Sequence, residues 1–188
     1  MEAFEQFVAL AMETEGLVVS GPHEVPVRRQ TRKAAYAEFQ THGFEVDLIG
    51  ARSDRLVLAT VKSFFGSRGV VADHVMGIGA DPRWNSSYAM LNDPQIRDTV
   101  VTGFAERFGF PLDQVEVRLY AGRFAGGGHE ERIREWCASQ YVGGAPIRVV
   151  GAREVVERVR EVAAVKTYRD HPVLATMKVL DATGILSS

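Results

Sequence analysis

The sequence predicts a three-layer α/β/α fold, with helices on both sides of a central mixed sheet. Two observations lead to this prediction. The segments 44–50 and 55–62 carry Val, Leu and Ile on adjacent as well as alternate positions, which is typical of strands that are buried on both faces. Beyond residue 110, strand and helix patterns alternate along the chain, and this order favours right-handed parallel crossovers.

The N-terminal third supplies an opening helix and a broken extended segment. Apolar residues recur at helical spacing from Phe4 to Met12, and Gly16 is placed to cap the C-terminal end of that helix. The segments 17–20 and 25–28 are predicted to be extended and to be interrupted at Gly21-Pro22. Residues 30–42 are polar and receive no assignment.

The rest of the chain divides into alternating elements. The pattern predicts a long loop with at most one short helix at 64–90, then helices at 94–108, 130–140, 154–165 and 173–182, and strands at 115–124 and 147–150. No repeat or Pro/Ser-rich linker divides the chain. We therefore expect one domain over 1–188, with a core at about 1–70 and a C-terminal strand and helix elaboration at about 110–188.

The composition limits the classes of function. The net charge of -2 provides no general basic surplus for nucleic-acid binding, so any positive surface must be local. The single cysteine, Cys137, cannot form an internal disulfide, and no Cys or His spacing suggests zinc. No apolar run is long enough to span a bilayer and the N-terminus is acidic, so we expect a cytoplasmic protein with no membrane partner.

Four polar side chains in the two predicted hairpin strands could carry chemistry. Because side chains alternate along a strand, Glu45 and Asp47 are expected on one face of the first strand, and Thr60 and Lys62 on one face of the second. A carboxylate that faces a lysine across a hairpin suits phosphodiester hydrolysis. The carboxylate holds a hard divalent cation and the lysine orients or activates the attacking water.

This arrangement resembles the PD-(D/E)xK nuclease superfamily, which has an Asp on one strand, (Asp/Glu)-x-Lys on the next, and often a Glu on the preceding helix. Asp47 matches the first position, Thr60-Val61-Lys62 the second, and Glu5 the helix glutamate. The resemblance implies a restriction-endonuclease-like core, close to the Holliday-junction-resolvase-like and TnsA-like branches. It also implies a Mg²⁺- or Mn²⁺-dependent endonuclease or exonuclease, with DNA as its partner and in many relatives a homodimer.

The sequence departs from the superfamily pattern at Thr60, where a neutral hydroxyl replaces a carboxylate. Some members tolerate a non-acidic residue there. Within this resemblance Asp47 and Glu5 are the metal ligands, and Glu45 is the nearest candidate for a displaced third acid. Lys62 is the group expected to assist the water.

Candidate substrate contacts lie on both sides of the hairpin. They are Ser63, which continues the Lys-Ser ending frequent in such motifs, Arg68 in the following turn, and the basic cluster Arg28, Arg29, Arg32 and Lys33, with Tyr36 or Phe39 as apolar neighbours. Without the resemblance, the cluster is typical of a solvated loop surface.

Two alternatives to an active nuclease stay open. In the first, the nuclease fold is retained as a binding or assembly module without catalysis, because Thr60 removes a ligand. In the second, the chain is an unrelated α/β enzyme in which Asp47 and Lys62 form only a cross-strand ion pair.

Overall fold

The computed structural model of the chain describes residues 2–30, 39–165 and 170–185. Over these residues the fold is mixed α/β. The α-helices are α1 (Ala3–Glu13), α2 (Ala72–Val75), α3 (Pro82–Ser86), α4 (Ala89–Asn92), α5 (Pro94–Phe108), α6 (His129–Ser139), α7 (Ala152–Ala164) and α8 (Pro172–Ala182), with a 3-10 turn at Leu112–Gln114. The strands are β1 (Val18–Ser20), β2 (His23–Gln30), β3 (Phe39–Val46), β4 (Leu48–Arg52), β5 (Arg55–Lys62), β6 (Val115–Ala121), β7 (Tyr141–Val142), β8 (Ala145–Pro146) and β9 (Arg148–Gly151).

The central sheet has five strands in the order β1-β4-β5-β6-β9. The first three pair antiparallel, whereas β5, β6 and β9 run parallel to one another. The chain passes from β5 to β6 through α2 to α5, and from β6 to β9 through α6. The predicted mixed sheet with parallel crossovers is confirmed.

Each face of the sheet packs on its own layer of helices. Leu56 and Leu58 of β5 belong to a core that includes residues of α2, α4, α5 and α6, which we call the α5 face. Val57 and Ala59 belong to a second core with residues of α1, α7 and α8, which we call the α1 face. The alternation along β5 thus places apolar side chains in both cores, as the sequence pattern predicted.

The prediction of one continuous hairpin strand at 44–50 is wrong. β3 ends at Val46, Asp47 forms a bend, and β4 begins at Leu48. β3 pairs along its length with β2 in a separate two-stranded ribbon, while β4 pairs with β5. Both strands are apolar at their junction, and such a run does not reveal where a chain leaves one sheet and enters the next.

The prediction of at most one short helix in 64–90 is also wrong, because α2, α3 and the start of α4 lie there. Helices of four or five residues are too short to produce a recognisable apolar period. Capping chemistry was the available signal: Asp81 accepts a hydrogen bond from the Arg83 amide, and Pro82 occupies the first helical turn. The strand predicted at 115–124 ends earlier, at Ala121.

A charged network lies beneath α1 and α7. Arg118 of β6 is fully buried on the α1 face and forms ion pairs with Glu15 at 2.9 Å and with Glu116 at 2.8 Å. Its guanidinium also donates to the Tyr120 hydroxyl at 3.2 Å. Glu15, which follows α1, accepts a second hydrogen bond from Arg158 of α7 at 2.7 Å. The network therefore joins α1 and α7 to the middle of the sheet.

The pKa of Glu15 predicts how this network responds to acid. Burial alone would raise the pKa, but the hydrogen bond and charge of Arg118, with the charges of Arg148 and Arg158, lower it by more, so the net shift is downward. A carboxylate with a depressed pKa contributes stability that is fully present above its unfolded-state pKa and is lost as the pH falls through its folded-state pKa.

We therefore expect Glu15→Gln to lower the free energy of unfolding by about 1.5–3 kcal/mol at neutral pH, and by progressively less below a pH of about 4.5. Urea titrations of both proteins at a series of pH values measure this difference. The exposed Glu161→Gln should show no comparable loss at any pH. A Glu15→Gln deficit that stayed constant down to strongly acidic pH would contradict the expectation.

Candidate functional site

Asp47 lies at the point where the ribbon leaves the central sheet. Its Oδ2 atom accepts hydrogen bonds from the Val61 amide at 2.6 Å and from the Thr60 hydroxyl at 3.2 Å. The β4–β5 pairing ends at Leu48 opposite Ala59, so this carboxylate takes the place of the next backbone acceptor in the ladder. The other oxygen, Oδ1, accepts no hydrogen bond from the residues that the structure describes. It is the part of Asp47 that can bind a ligand.

Lys62 is the last residue of β5 and shares the α5 face with Thr60. Its Nζ atom lies 6.0 Å from the centre of the Tyr88 ring, the distance of a cation–π contact. Within the described parts of the chain, Lys62 has no carboxylate within 4.0 Å, and this includes Asp47. The Asp47–Lys62 ion pair of the second alternative, the unrelated α/β enzyme, is therefore not formed, and the ammonium group remains available.

The orientation of α1 brings Glu5 to the same end of the sheet. By sheet edge we mean this end, at which β5 and β6 terminate. The Ser63 hydroxyl, just beyond β5, donates to a Glu2 carboxylate oxygen at 3.1 Å. At the other end of α1, Arg52 donates to the backbone carbonyl of Glu15 at 3.0 Å. The helix thus runs antiparallel to β5, and Glu5 in its first turn is level with the end of β5 where Lys62 lies.

The Glu5 side chain already has one local role. Its Oε2 atom accepts a hydrogen bond from the Glu2 amide at 2.8 Å and completes a capping box at the start of α1. Glu2 was missed in the sequence because the superfamily pattern contains only one helix glutamate, which Glu5 matches. Its position beside Ser63 adds a second α1 carboxylate at the sheet edge.

Glu45 does not share a strand with Asp47, so the predicted shared face is wrong. It lies on β3, is exposed, and pairs across the ribbon with Glu24. Among the described residues no group of three or more His, Cys, Asp or Glu side chains is placed to hold a metal ion. The free Oδ1 of Asp47 is the oxygen donor at this end of the sheet, and the Glu2 and Glu5 carboxylates at the start of α1 each have one oxygen engaged in a hydrogen bond. Such hard oxygens fit a Mg²⁺ ion that keeps several of its waters.

Two exposed arginines flank this edge. Arg68 follows β5 and Arg123 follows β6, and the Val70 amide donates to the Arg123 carbonyl at 2.8 Å, so the two segments adjoin. Neither arginine forms an ion pair with any acid that the structure describes. Arg123 was missed in the sequence. The signal that could have found it is its place at the carboxyl end of a parallel strand, the edge where α/β sheets bind ligands.

The two strand ends are held closely together. The Gly122 amide donates to the Lys62 carbonyl at 2.8 Å. A side chain at Gly122 would collide with the backbone oxygen of Ser63 and the ring of Phe65. Phe64 has a φ of 43°, an unusual backbone conformation for a residue other than glycine. Glycine at position 122 therefore allows the loop after Lys62 to lie directly against the end of β6.

The predicted basic groove is described only in part. Arg28 of β2 stacks its guanidinium 4.5 Å from the centre of the Phe39 ring, so these two residues form one ribbon surface. Arg29 lies on β2, and its side chain is outside the described set. Arg32, Lys33 and Tyr36 lie outside the described residues.

Tyr88, immediately before α4, is a further residue that the sequence did not single out. It is 2% exposed and packs in the core of the α5 face, and burial raises the pKa of its hydroxyl. Its ring lies beneath the Lys62 ammonium group. No motif indicated this contact, because residues 62 and 88 are brought together only by the helices that follow β5.

Comparison with models of known protein families finds no match to this chain, and comparisons with curated proteins and with solved structures also find none. The functional interpretation of the candidate site therefore rests on the geometry and chemistry of its residues. No helix within the described ranges is both long and apolar enough to cross a membrane.

Proposed function

We propose that the protein is a metal-dependent nuclease that hydrolyses DNA phosphodiester bonds. The observation that supports this most is the position of Asp47 at the sheet edge where β5 ends in Lys62. Thr60 and Val61 fix one carboxylate oxygen of Asp47, and among the described residues the other oxygen accepts no hydrogen bond and Lys62 forms no ion pair. A fixed carboxylate can hold a divalent cation, and an ammonium group at the same end of the sheet can orient the attacking water, so the two groups suit metal-assisted phosphodiester hydrolysis.

Each residue has a distinct role in this proposal. Asp47 would hold Mg²⁺ or Mn²⁺ together with water molecules, and Glu5 is the second acid that we assign to the ion, which when bound would stabilise the charge that develops on the phosphate. Thr60 is not a ligand; its hydroxyl orients the Asp47 carboxylate. Lys62 orients the attacking water or stabilises it as it loses a proton.

The substrate contacts follow from the charges around the edge. Arg68 and Arg123 are exposed and unpaired among the described residues, and they are the groups we assign to phosphate oxygens on either side of the scissile bond. Arg28 on the ribbon would contact the backbone further along the DNA. Ser63 donates to Glu2, so its proposed role changes from contact with the substrate to positioning of an acid.

Asp47→Asn is the direct test of this function. Asparagine keeps an acceptor for the Val61 amide but removes the negative charge, so the fold should survive while Mn²⁺ binding and DNA cleavage are lost. Calorimetric Mn²⁺ titration and cleavage of plasmid and linear DNA measure these two losses. Asp113→Asn is the matched control, because Asp113 is exposed and precedes β6 at the opposite edge of the sheet. Cleavage by Asp47→Asn at the native rate would refute the proposal.

A second candidate is a nuclease-fold module that binds nucleic acid without cleaving it. The observations that favour it are the neutral Thr60 in the usual acidic position and the lack of a three-carboxylate group among the described residues. The same titrations separate the two functions. DNA binding with no Asp47-dependent Mn²⁺ binding and no cleavage would support the module.

A further inference from the structure

A pair of parallel aromatic rings lies on the surface of the segment between β5 and β6. The His74 ring of α2 and the Trp84 ring of α3 are stacked with their centres 5.9 Å apart and an interplanar angle of 12°. Trp84 is 52% exposed. Its ring borders a recess of about 290 Å³ that is lined by Arg83, Trp84 and Ser87. One side of the indole is therefore supported by His74, while the recess leaves Trp84 accessible to a ligand.

The backbone that carries the two rings is fixed by two asparagines. The Asn85 side-chain amide donates to the carbonyls of Gly77 and Gly79, at 3.2 and 2.8 Å. The Asn92 amide donates to the carbonyls of His74 and Asn85, each at 3.0 Å. The stacked His74 and Trp84 rings, which we call the platform, are thus carried on a backbone that is held before any ligand binds. This lowers the entropic cost of binding.

Trp84 is connected to the candidate site through Tyr88. Tyr88 follows Trp84 by four residues and is linked to the same turn by the hydrogen bond from its amide to the Asn85 carbonyl at 3.0 Å. The Tyr88 ring in turn lies 6.0 Å from the Lys62 ammonium nitrogen. A strand bound at Lys62 could therefore place a neighbouring nucleotide on Trp84.

The charges near the platform favour a neutral planar ring over a phosphate. Arg83 is paired with Asp81 at 2.8 Å, and Arg132 is paired with Asp73 at 2.7 Å. Phosphate-binding charge is instead available at Arg68 and Arg123, on the strand edge. An indole face stacks on any of the four bases, but it can do so only when the base is outside a duplex.

We infer that Trp84 stacks an unpaired base, and that the substrate class of the site is DNA with a single-stranded segment, such as a tail, flap or branch, rather than blunt duplex. This inference rests on the proposed function for its assignment of DNA. It adds a stacking contact that fixes which part of the DNA lies next to Lys62.

The test compares binding of labelled DNA by fluorescence anisotropy, in EDTA so that no cleavage occurs. The probes are a blunt duplex and the same duplex with a single-stranded tail. Trp84→Ala should weaken binding of the tailed duplex by between about fivefold and a hundredfold and leave the blunt duplex unchanged. Trp84→Phe should retain most of the affinity, because it keeps an aromatic face. Trp136→Phe is the control, since Trp136 packs against the core of the α5 face and away from the recess.

A second measurement is independent of how well Trp84→Ala folds. The chain has two tryptophans, so Trp136→Phe leaves Trp84 as the only indole fluorophore. Its emission should be quenched by a single-stranded oligonucleotide and not by a blunt duplex. Unchanged emission, or equal loss of affinity for both probes in Trp84→Ala, would overturn the inference.

Failure of the inference can be distinguished from failure of the proposed function. If native protein cleaves DNA with Mn²⁺ but Trp84→Ala binds the tailed and the blunt duplex with the same affinities as the native protein, only the stacking role is refuted. If Trp84 is required for binding of the tail but no DNA is cleaved, only the catalytic function is refuted. If neither probe is bound and no DNA is cleaved with Mn²⁺, both are refuted.

Discussion

Lys62→Ala is expected to lower the rate of DNA cleavage by about 10²–10⁴-fold while leaving Mn²⁺ binding unchanged. Lys62 reaches no carboxylate among the described residues and touches the Tyr88 ring, so its loss removes no ion pair from the fold. The expected loss comes from the water, which is no longer oriented or stabilised as it loses its proton. Single-turnover cleavage and Mn²⁺ calorimetry measure the two effects separately.

Lys178→Ala is the matched control for this experiment. Lys178 lies on α8, across the sheet from the Lys62 side chain, and its ammonium group lies 3.4 Å from the Val165 carbonyl. Its removal should change neither rate nor metal affinity. Native cleavage by Lys62→Ala would show that the lysine is not part of the chemistry, and a loss of Mn²⁺ binding would show that its role is structural.

Removal of both acids around Arg118 is expected to cause the largest loss of stability. In the double variant Glu15→Gln with Glu116→Gln, the fully buried guanidinium of Arg118 has no carboxylate partner left among the residues that the structure describes. Breaking a buried pair in this way costs about 3–5 kcal/mol, because a buried charge remains uncompensated. Urea unfolding at neutral pH, followed by circular dichroism, measures the free energy of unfolding.

A third substitution in that background identifies the cause of the loss. Adding Arg118→Met removes the buried charge and keeps most of the side-chain volume, so part of the lost stability should return. The double variant Glu135→Gln with Glu161→Gln is the control, because both acids are exposed. A triple variant that is less stable than the double variant would show that the guanidinium contributes by its packing and its hydrogen bond to Tyr120 and not by its charge.

Most of the fold could be predicted from the sequence, because its long elements carry strong periodic patterns. Helix α5 and strand β5 lie where the pattern placed them, and α7 differs by only two residues at its start and one at its end. The break at Asp47 could not be predicted, since it depends on which partner each half-strand finds. β3 pairs with β2 and β4 with β5, and these pairings are tertiary choices that local apolar patterns do not encode.

The candidate site was predictable to the extent that its residues lie on patterned elements. The strand pattern placed Asp47, Thr60 and Lys62 near one another, and the structure joins Thr60 to Asp47 by a hydrogen bond. Tyr88 was not predictable, because it reaches this edge through helices too short to leave a periodic signal. Arg123 was missed although its place after a predicted parallel strand could have indicated it. Glu45 was assigned to the site on a strand continuity that the bend at Asp47 removes.

The hydrogen bond from the Val61 amide to Asp47 affects which residue can distinguish active from inactive relatives of this chain. An acceptor at position 47 satisfies the Val61 amide whether or not a cation is bound. We therefore expect Asp or Asn to be retained there even in relatives that do not cleave DNA. The Lys62 ammonium group forms no ion pair or hydrogen bond with the residues described here that would preserve a lysine for the fold alone. On the proposed function, position 62 is therefore the better marker for distinguishing an active nuclease from an inactive relative that kept only the fold.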